Sequence, residues 1–97
     1  MKKWIRDRTG TYRKGDRTIA ELGWPVGYIR VTDGDRFADI EYEVDMKGLS
    51  IWPERLTHWQ TTEGRSMAVT EQDRTSIVND VKEYGEENRM KIDDGVG

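Results

Sequence analysis

The chain has no cysteine, and this absence limits both its chemistry and its location. Disulfide bonds, a thiolate nucleophile and a cysteine-ligated zinc site are all excluded. A secreted domain of only 97 residues commonly needs disulfides to reinforce its thin core. The sequence therefore predicts a reducing, cytoplasmic location. The start MKKWIRDRTG has no apolar run after its lysines, so we do not expect it to act as a signal peptide.

Long apolar runs, histidine and phosphate-binding motifs are also scarce. No apolar stretch exceeds three residues, so no membrane span is predicted. His58 is the single histidine, which excludes a two-histidine metal site and leaves a general-base role as an alternative to an ordinary surface position. The glycines form no phosphate-binding pattern. We therefore expect a non-catalytic protein without cofactor or metal, and an enzyme is the less favoured alternative.

Large aromatic side chains, in contrast, are well represented. Four Trp and four Tyr accompany a net charge of only −3, which favours a folded chain over a disordered one. The length fits a single domain over residues 1–97. Within that domain, residues 1–9 and 94–97 are predicted to be flexible, because polar chain ends usually fray.

The clearest secondary-structure signal is a hairpin around Asp33 and Gly34. Asp-Gly is typical of a two-residue type I′ turn, and this loop pairs Thr32 with Asp35. Alternation along the two strands then predicts one apolar and one polar face. The apolar face, directed to the core, consists of Ile29, Val31, Ala38, Ile40, Tyr42 and Val44. The opposite face consists of Tyr28, Arg30, Thr32, Phe37, Asp39, Glu41 and Glu43.

Weaker signals surround this hairpin. Gly15 and Asp16 predict the turn of a first hairpin over residues 11–22, in which Tyr12 pairs with Ile19. Residues 48–52 are predicted to form a third hairpin arm or an edge strand, which ends before a proline. Residues 56–59 are expected to form a short turn or extended segment. Residues 61–67 are expected to form a polar loop.

One helix is predicted to begin near Thr70, because Thr70 and Asp73 have the spacing of a capping box. Its apolar stripe consists of Ile77, Val78, Val81 and Tyr84. Gly85 is expected to end the helix, with one further turn as the alternative, and residues 89–93 are expected to form a short strand. The predicted fold class is therefore α+β. An antiparallel β-sheet, built as a meander of hairpins, is packed by one C-terminal α-helix and followed by a short last strand.

The polar face of the second hairpin is the candidate functional surface. Asp39, Glu41 and Glu43 alternate along one strand, which spaces successive carboxylates by about 6.5–7 Å. This spacing is too wide for two of them to hold one metal ion, and an open strand face is a poor cleft for glycosidase carboxylates. A solvated face and an acidic recognition surface are the two interpretations left. The predicted partner-binding residues are Tyr28, Arg30, Phe37, Asp39, Glu41 and Glu43.

The second half of the chain has a distinctive order of features. A tryptophan-bearing segment ending at Trp59 is followed by a polar loop, a helix that opens on Thr70 and a short strand. Over residues 52–92 this order resembles small immunity proteins of bacterial polymorphic toxin systems. The resemblance implies a non-catalytic inhibitor that occludes the active site of a cognate toxin. An acidic face would complement a basic nuclease surface and make association sensitive to salt.

Several alternatives stay open. Residues 1–17 carry a net charge of +5 and residues 18–97 a net charge of −8. A nucleic-acid-associated accessory protein is the second hypothesis, because basic and aromatic residues alternate as in single-strand binding. The residues concerned are Lys2, Lys3, Trp4, Arg6, Arg8, Arg13, Lys14 and Arg17. A monomer and a homodimer through residues 48–52 are both possible, and Trp52 and Trp59 form either core or contact surface.

Overall fold

The computed structural model describes residues 2–23, 25–46 and 48–95. Within these residues the chain forms nine β-strands, one 3₁₀ turn and one α-helix. The strands are β1 (Ile5–Arg6), β2 (Tyr12–Lys14), β3 (Arg17–Gly23), β4 (Val26–Asp33), β5 (Arg36–Asp45), β6 (Gly48–Ile51), β7 (His58–Thr61), β8 (Ser66–Ala68) and β9 (Ile92–Asp93). The 3₁₀ turn spans Pro53–Arg55, and helix α1 spans Glu71–Glu87. The predicted α+β class is confirmed.

The strands form one mostly antiparallel sheet that branches along β5. Neighbouring strands follow the order β1-β2-β3-β4-β5-β6-β9. Arg36 and Phe37, at the start of β5, pair with β7, whereas residues 42–45 pair with β6. β8 pairs with β7, and β9 runs parallel to β6. The fourth and fifth strands therefore form the centre on which the other parts are assembled.

The first predicted hairpin forms between β2 and β3 with the predicted register. Lys14 pairs with Arg17, and Tyr12 pairs with Ile19. Gly15 takes the first turn position with a φ of 61°, a conformation that favours glycine. The like charges of Lys14 and Arg17 are tolerated because each side chain reaches a carboxylate of α1.

The second hairpin, between β4 and β5, corrects the predicted turn. Asp33 pairs with Arg36, so the turn consists of Gly34 and Asp35, one residue later than expected. Gly34 has a φ of 65° in the first turn position, where a type II′ turn favours glycine. The Asp33 carboxylate instead accepts from Arg17 at 3.2 Å. Every predicted pair moves by two residues along β5, and because side chains alternate with a period of two, the predicted faces are confirmed.

The apolar face of this hairpin, here called the inner face, packs against α1. The buried side chains of the sheet are Ile19, Ile29, Val31, Ala38, Ile40 and Tyr42. Leu49 and Ile51 of β6 and Trp59 of β7 are also buried, and the helix contributes the whole predicted stripe, Ile77, Val78, Val81 and Tyr84. Val44 is half-buried beside this cluster, and Leu56 and Trp59 extend it. The helix thus covers one side of the sheet and leaves the other side uncovered.

Residues 58–68 form a small hairpin in place of the predicted turn and polar loop. Trp59 of β7 pairs with Met67 of β8. Trp59 is buried, whereas its neighbours His58 and Gln60 are exposed, which is the alternation of a strand with one face on the core. Trp59 is the one large apolar residue in β7, so the sequence pattern was too short to separate a strand from a loop.

The helix begins at the predicted residue and with the predicted cap. The Thr70 hydroxyl accepts from the Asp73 backbone N–H at 3.0 Å, and the Asp73 carboxylate accepts from the Thr70 N–H at 3.4 Å. The same carboxylate accepts from the Trp59 indole N–H at 3.1 Å. The hydrogen bond from Trp59, followed by those from Thr70, lowers the pKa of Asp73 below its usual value. The cap is therefore connected directly to the core.

The helix does not stop at Gly85 but continues to Glu87, as the alternative allowed, and Gly85 lies inside it and is buried. The helix ends in a Schellman motif, in which the Met90 N–H donates to the Gly85 carbonyl at 2.7 Å and the Arg89 N–H donates to the Glu86 carbonyl at 3.2 Å. Arg89 takes the left-handed position with a φ of 58°. A Cβ on Gly85 would collide with the Ile92 side chain. Glycine is used here for close packing of β9.

The start of the chain closes over α1. Trp4 is buried, its backbone N–H donates to Glu87 at 2.9 Å, and its indole N–H donates to Glu83 at 3.0 Å. Lys14 also contacts Glu83, at 2.6 Å, and this contact is the main cause that lowers the pKa of Glu83. Residues 1–9, predicted to be flexible, therefore include a residue that packs in the core.

Parts of the predicted flexible ends, Met1, Val96 and Gly97, lie outside the described residues. Near the other end, Asp94 forms an ion pair with Lys82 at 2.6 Å. Among the helical residues that the structure describes, none form a segment with the length and hydrophobicity needed to cross a membrane.

Candidate protein-binding surface

Cross-strand pairing brings all six predicted binding residues to the side of the sheet opposite the helix. Tyr28 pairs with Glu41 and Arg30 with Asp39, and paired residues share a face. The register also adds two residues that the sequence did not single out. Leu22 pairs with Tyr28, and Val26 pairs with Glu43. We call this surface the outer face. Its main members are Leu22, Val26, Tyr28, Arg30, Phe37, Asp39, Glu41 and Glu43.

At the middle of the outer face, Arg30 holds Asp39. Its Nε and Nη2 donate to the two carboxylate oxygens of Asp39 at 2.8 and 2.9 Å. Its guanidinium carbon lies 4.2 Å from the centroid of the Phe37 ring. The hydrogen bonds to Asp39 raise the pKa of Arg30, so its charge is retained. Asp39 and Phe37 are thus already engaged within the chain, which the sequence did not predict.

Glu41 is held in the same way by an arginine from outside the sheet. Arg55, at the end of the 3₁₀ turn, donates from Nη1 to the Glu41 carboxylate at 2.7 Å. Its guanidinium carbon lies 5.4 Å from the centroid of the Trp52 ring. Pro53, at the first position of the turn, directs the chain so that Trp52 and Arg55 lie beside β5. The turn therefore brings a cation and an aromatic ring to the outer face.

Glu43 differs from the other two carboxylates of β5. Its side chain is exposed, and no described residue forms an ion pair with it. Its cross-strand neighbours are Val26 in β4 and Ser50 in β6, neither of which carries a charge. Of the three acidic residues predicted for this face, Glu43 is therefore the one whose charge is available to a ligand.

An apolar patch lies next to Glu43. Val26 is 64% exposed, Tyr28 is 47% exposed and Leu22 is 39% exposed. Adjacent exposed apolar side chains of this size are typical of interaction sites. Leu22 was missed because no register of β3 against β4 could be read from the sequence, and Val26 was missed because the predicted face was traced only from Tyr28 onward. The two facing glycines, Gly23 and Gly27, mark that register, since their close approach leaves no room for a side chain on Gly27.

An open groove of about 410 Å³ lies at this end of the outer face. It is lined by Val26, Gly27, Tyr28, Glu41, Tyr42, Glu43, Trp52 and Arg55. Besides the buried Tyr42, the lining therefore combines two aromatic rings and an aliphatic side chain with two carboxylates and one guanidinium. Aromatic residues and arginine are the types that dominate the energetics of protein interfaces. This end of the outer face has the strongest binding character.

The two tryptophans that flank the 3₁₀ turn have different roles. Trp59 is buried in the core, and Arg36 lies over its ring at 4.1 Å from the centroid. Trp52 is half-buried and lines the groove. Of the two interpretations left open by the sequence, core closure therefore applies to Trp59, and a surface position applies to Trp52.

Three of the basic side chains near the start of the chain contact carboxylates of the helix. Lys14 contacts Glu83, and Arg17 contacts Asp80 at 2.6 Å. Lys3 also lies within 3.4 Å of Glu83. Trp4, proposed above as a base-stacking ring, is buried. Part of the positive charge near the start of the chain is therefore neutralised within the fold, by carboxylates of α1.

Titratable side chains with a potential role in acid–base or metal chemistry lie in several parts of the described structure. No cluster of three or more histidine, cysteine or acidic side chains among these residues can hold a metal. His58 is exposed, with its Nδ1 3.0 Å from the Thr57 hydroxyl. The Tyr84 hydroxyl donates to Glu21 at 2.6 Å, and burial, followed by this hydrogen bond, raises the pKa of Tyr84 far above its usual value. Tyr84 therefore stays protonated as a packing residue.

The predicted edge strand over residues 48–52 is not an open edge. β9 pairs with β6 through Leu49 and Ile92 and through Ser50 and Asp93. The Leu49 N–H also donates to the Lys91 carbonyl at 2.9 Å. On its other side β6 pairs antiparallel with β5, as predicted for a third hairpin arm, and backbone pairing on both sides of the strand is thus provided within the chain.

Comparisons of the chain with protein-family models, with curated proteins and with solved structures find no match.

Proposed function

We propose that the chain is a non-catalytic binding protein whose outer face docks on a basic surface of another protein. The observation that carries this proposal is the apolar patch of Leu22, Val26 and Tyr28 beside the carboxylate of Glu43, which pairs with no cation among the described residues. A solvated face has no need for three neighbouring exposed apolar side chains. An interface uses such a patch as its centre and charged residues as its rim.

The ion pairs of the outer face support the same function. The Arg30–Asp39 pair and the Arg55–Glu41 pair fix four long side chains in place before a partner arrives. A surface ordered in advance loses less side-chain entropy on association. Glu43 then supplies the unbalanced negative charge that attracts a basic partner. We expect association to be faster at low salt, because salt screens this attraction.

Among binding proteins, we propose an inhibitor that occludes the active site of a toxin, as the resemblance to immunity proteins implies. A rigid sheet face is suited to covering a concave basic site, such as that of a nuclease. The nucleic-acid alternative loses support, because Lys3, Lys14 and Arg17 contact carboxylates and the Trp4 ring is buried. Its remaining basis is the exposed arginines of the first 13 residues.

The test is capture from a lysate of the source cells with immobilised protein, comparing two matched variants. The double variant Tyr28→Ala/Glu43→Lys alters the outer face. The control Glu54→Lys makes the same charge change at an exposed residue of the 3₁₀ turn outside the groove lining. We expect a basic protein to be retained by the unmodified chain and by the control, and lost with the double variant.

The inhibitor proposal adds an activity measurement. The captured protein is purified, its nuclease or other toxic activity is assayed, and the chain is added back in excess. Inhibition by the unmodified chain and by Glu54→Lys, but not by the double variant, supports the proposal. Equal capture by all three proteins, or capture that is insensitive to salt, contradicts the assignment of the outer face. A captured basic protein whose activity is unaffected contradicts inhibition and leaves docking.

A further inference from the structure

The groove at the end of the outer face contains an internal example of the ligand chemistry that it favours. Arg55 of the same chain lies at one side of it, paired with Glu41 at 2.7 Å and within 5.4 Å of the Trp52 ring centroid. The Arg55 side chain is 57% exposed and that of Glu41 is 41% exposed, so the pair lies at the surface rather than in the core. One guanidinium is thus already bound by one carboxylate and one aromatic face.

The second half of the groove repeats these elements without a cation. Glu43 lies two residues from Glu41 on the same strand face, at a spacing of about 7 Å. No described residue neutralises it. Tyr28, which is 47% exposed, supplies the second aromatic ring, as Trp52 does for Arg55. The charged lining therefore consists of two carboxylates and one guanidinium, which leaves a net charge of −1.

We infer that this groove receives an arginine side chain of the protein partner, with its guanidinium on Glu43. Arginine suits the groove better than lysine, because a planar guanidinium donates two parallel hydrogen bonds to a carboxylate and stacks on an aromatic ring. Val26, next to Glu43 across the strands, provides apolar surface for the aliphatic stem of the arginine. This inference rests on the proposed function, since it specifies what the partner inserts at the outer face.

Arg55 sets the strength of this site. It neutralises Glu41 and so keeps the groove from binding two cations. When Arg55 is replaced by glutamine, Glu41 becomes available beside Glu43, and the negative charge of the groove doubles. The groove is then expected to bind a guanidinium more tightly, whereas a purely structural Arg55 would leave the affinity unchanged or lowered.

The experiment is a titration of the isotope-labelled chain with Nα-acetyl-L-arginine amide, followed by NMR. The resonances observed are the Trp52 indole and the Glu43 and Tyr28 backbone amides. We expect shifts of these resonances with arginine amide at millimolar concentration, and much smaller shifts with the neutral analogue Nα-acetyl-L-citrulline amide. Lysine amide is expected to bind more weakly than arginine amide.

Three variants decide the assignment. Glu43→Gln is expected to weaken arginine amide about fivefold, the size of an exposed ion pair, and Arg55→Gln to strengthen it by about the same factor. Glu54→Gln, the matched control outside the groove lining, is expected to have no effect. Equal responses to arginine and citrulline, or unchanged affinity in Glu43→Gln, overturn the inference.

The outcome is separable from that of the proposed function. If the Tyr28→Ala/Glu43→Lys variant loses the partner but arginine amide does not bind, docking stands and the arginine subsite is wrong. If arginine amide binds at Glu43 but partner capture does not depend on the outer face, the subsite stands and the docking proposal is wrong. In both cases amide spectra of each variant establish that it is folded.

Discussion

The inner and outer faces of the sheet are made by alternate residues of the same strands, yet different interactions hold them. Ile29 and Tyr28 are adjacent in β4, but Ile29 is fully buried and Tyr28 is 47% exposed. The inner face is stabilised by burial against α1, whereas the outer face is stabilised by arginine–carboxylate pairs. With the binding role proposed for the outer face, stability and binding depend on different sides of one sheet, so changes on one side should leave the other property intact.

The largest expected change in the free energy of unfolding separates Ile29 from its neighbour Tyr28 in β4. Ile29→Ala removes buried methyl groups and leaves a cavity, so the free energy of unfolding should fall by about 2–5 kcal/mol. Tyr28→Ala should lower it by less than about 1 kcal/mol, because the ring is half in water. Urea unfolding followed by tryptophan fluorescence measures both. Similar losses for the two variants would break the distinction between the faces.

The next effect compares one ion pair on each side. Asp80 contacts Arg17 at 2.6 Å and Lys14 at 3.4 Å between the sheet and the helix, where its side chain is 16% exposed. Asp80→Asn should cost about 1–2 kcal/mol of unfolding free energy, since two partly buried cations each lose one of their carboxylate partners. Asp39→Asn, at the exposed Arg30 pair, should cost less than about 1 kcal/mol.

The two ion pairs should also differ in how salt changes their contribution to the free energy of unfolding. Raising the ionic strength should reduce the loss in Asp39→Asn more than the loss in Asp80→Asn, because exposed charges are screened more than partly buried ones. The measurement is urea unfolding of both variants at low and high salt. Equal salt sensitivity would show that the helix is held by charges that solvent reaches freely.

The third effect is acid sensitivity on the inner side. The folded-state pKa of Asp73 lies below its ordinary value of 3.8, so its ionised form adds stability above that value. This contribution is lost as the pH falls through the lowered pKa. Asp73→Asn should cost about 1 kcal/mol at neutral pH, where hydrogen bonds to the charged group are lost, and unfolding free energy should then fall less steeply below pH 4.

The pH profile needs a variant of the same helix without a change in charge. Thr75→Ala serves this purpose, because Thr75 is exposed in the first half of α1. Its profile should run parallel to that of the unmodified chain. An Asp73→Asn profile as steep as the control would contradict the role of this carboxylate in acid unfolding.

The smallest expected effect is an increase in the free energy of unfolding. Arg89 holds a φ of 58° at the end of α1, a conformation that glycine adopts without strain. Arg89→Gly should therefore raise the free energy of unfolding by about 0.5–1 kcal/mol. Affinity for arginine amide at the outer face should not change. A change in affinity from this substitution would show that the two sides are coupled.

Much of the fold follows from local sequence signals. The alternation in β4 and β5 identified both faces, and Thr70 with Asp73 located the helix start, because each signal depends on neighbours in the chain. The turn was misplaced by one residue. Asp-Gly favours a type I′ turn at Asp33 and Gly34, whereas in the structure Asp33 forms ion pairs at the end of β4 and the turn begins at Gly34. Gly85 was predicted to end the helix because glycine is common at helix ends. Its contact with the Ile92 side chain forms only when the chain folds back after α1.

Six members of the outer face were predictable from the sequence, whereas Leu22, Val26 and the pairing of the charges were not. Alternation alone placed Tyr28 and Glu43 on one face. The neutralisation of Glu41 depends on Arg55, which a 3₁₀ turn brings back to the sheet, and no periodicity predicts that return. The exposed Val26 became part of the site when the register of the strands was known.

The contact of Trp4 with Glu83 and Glu87 has a consequence for how the chain is made. Trp4 is synthesised well before its hydrogen-bond acceptors, Glu83 and Glu87, which lie 79 and 83 positions later. A tryptophan without its pocket is an exposed hydrophobic group on a nascent chain, which favours aggregation. Contacts of such long sequence separation also slow folding. Completion of the core therefore waits for synthesis of the last turn of α1, so that nascent chains ending before Glu83 should be the substrates on which chaperones act.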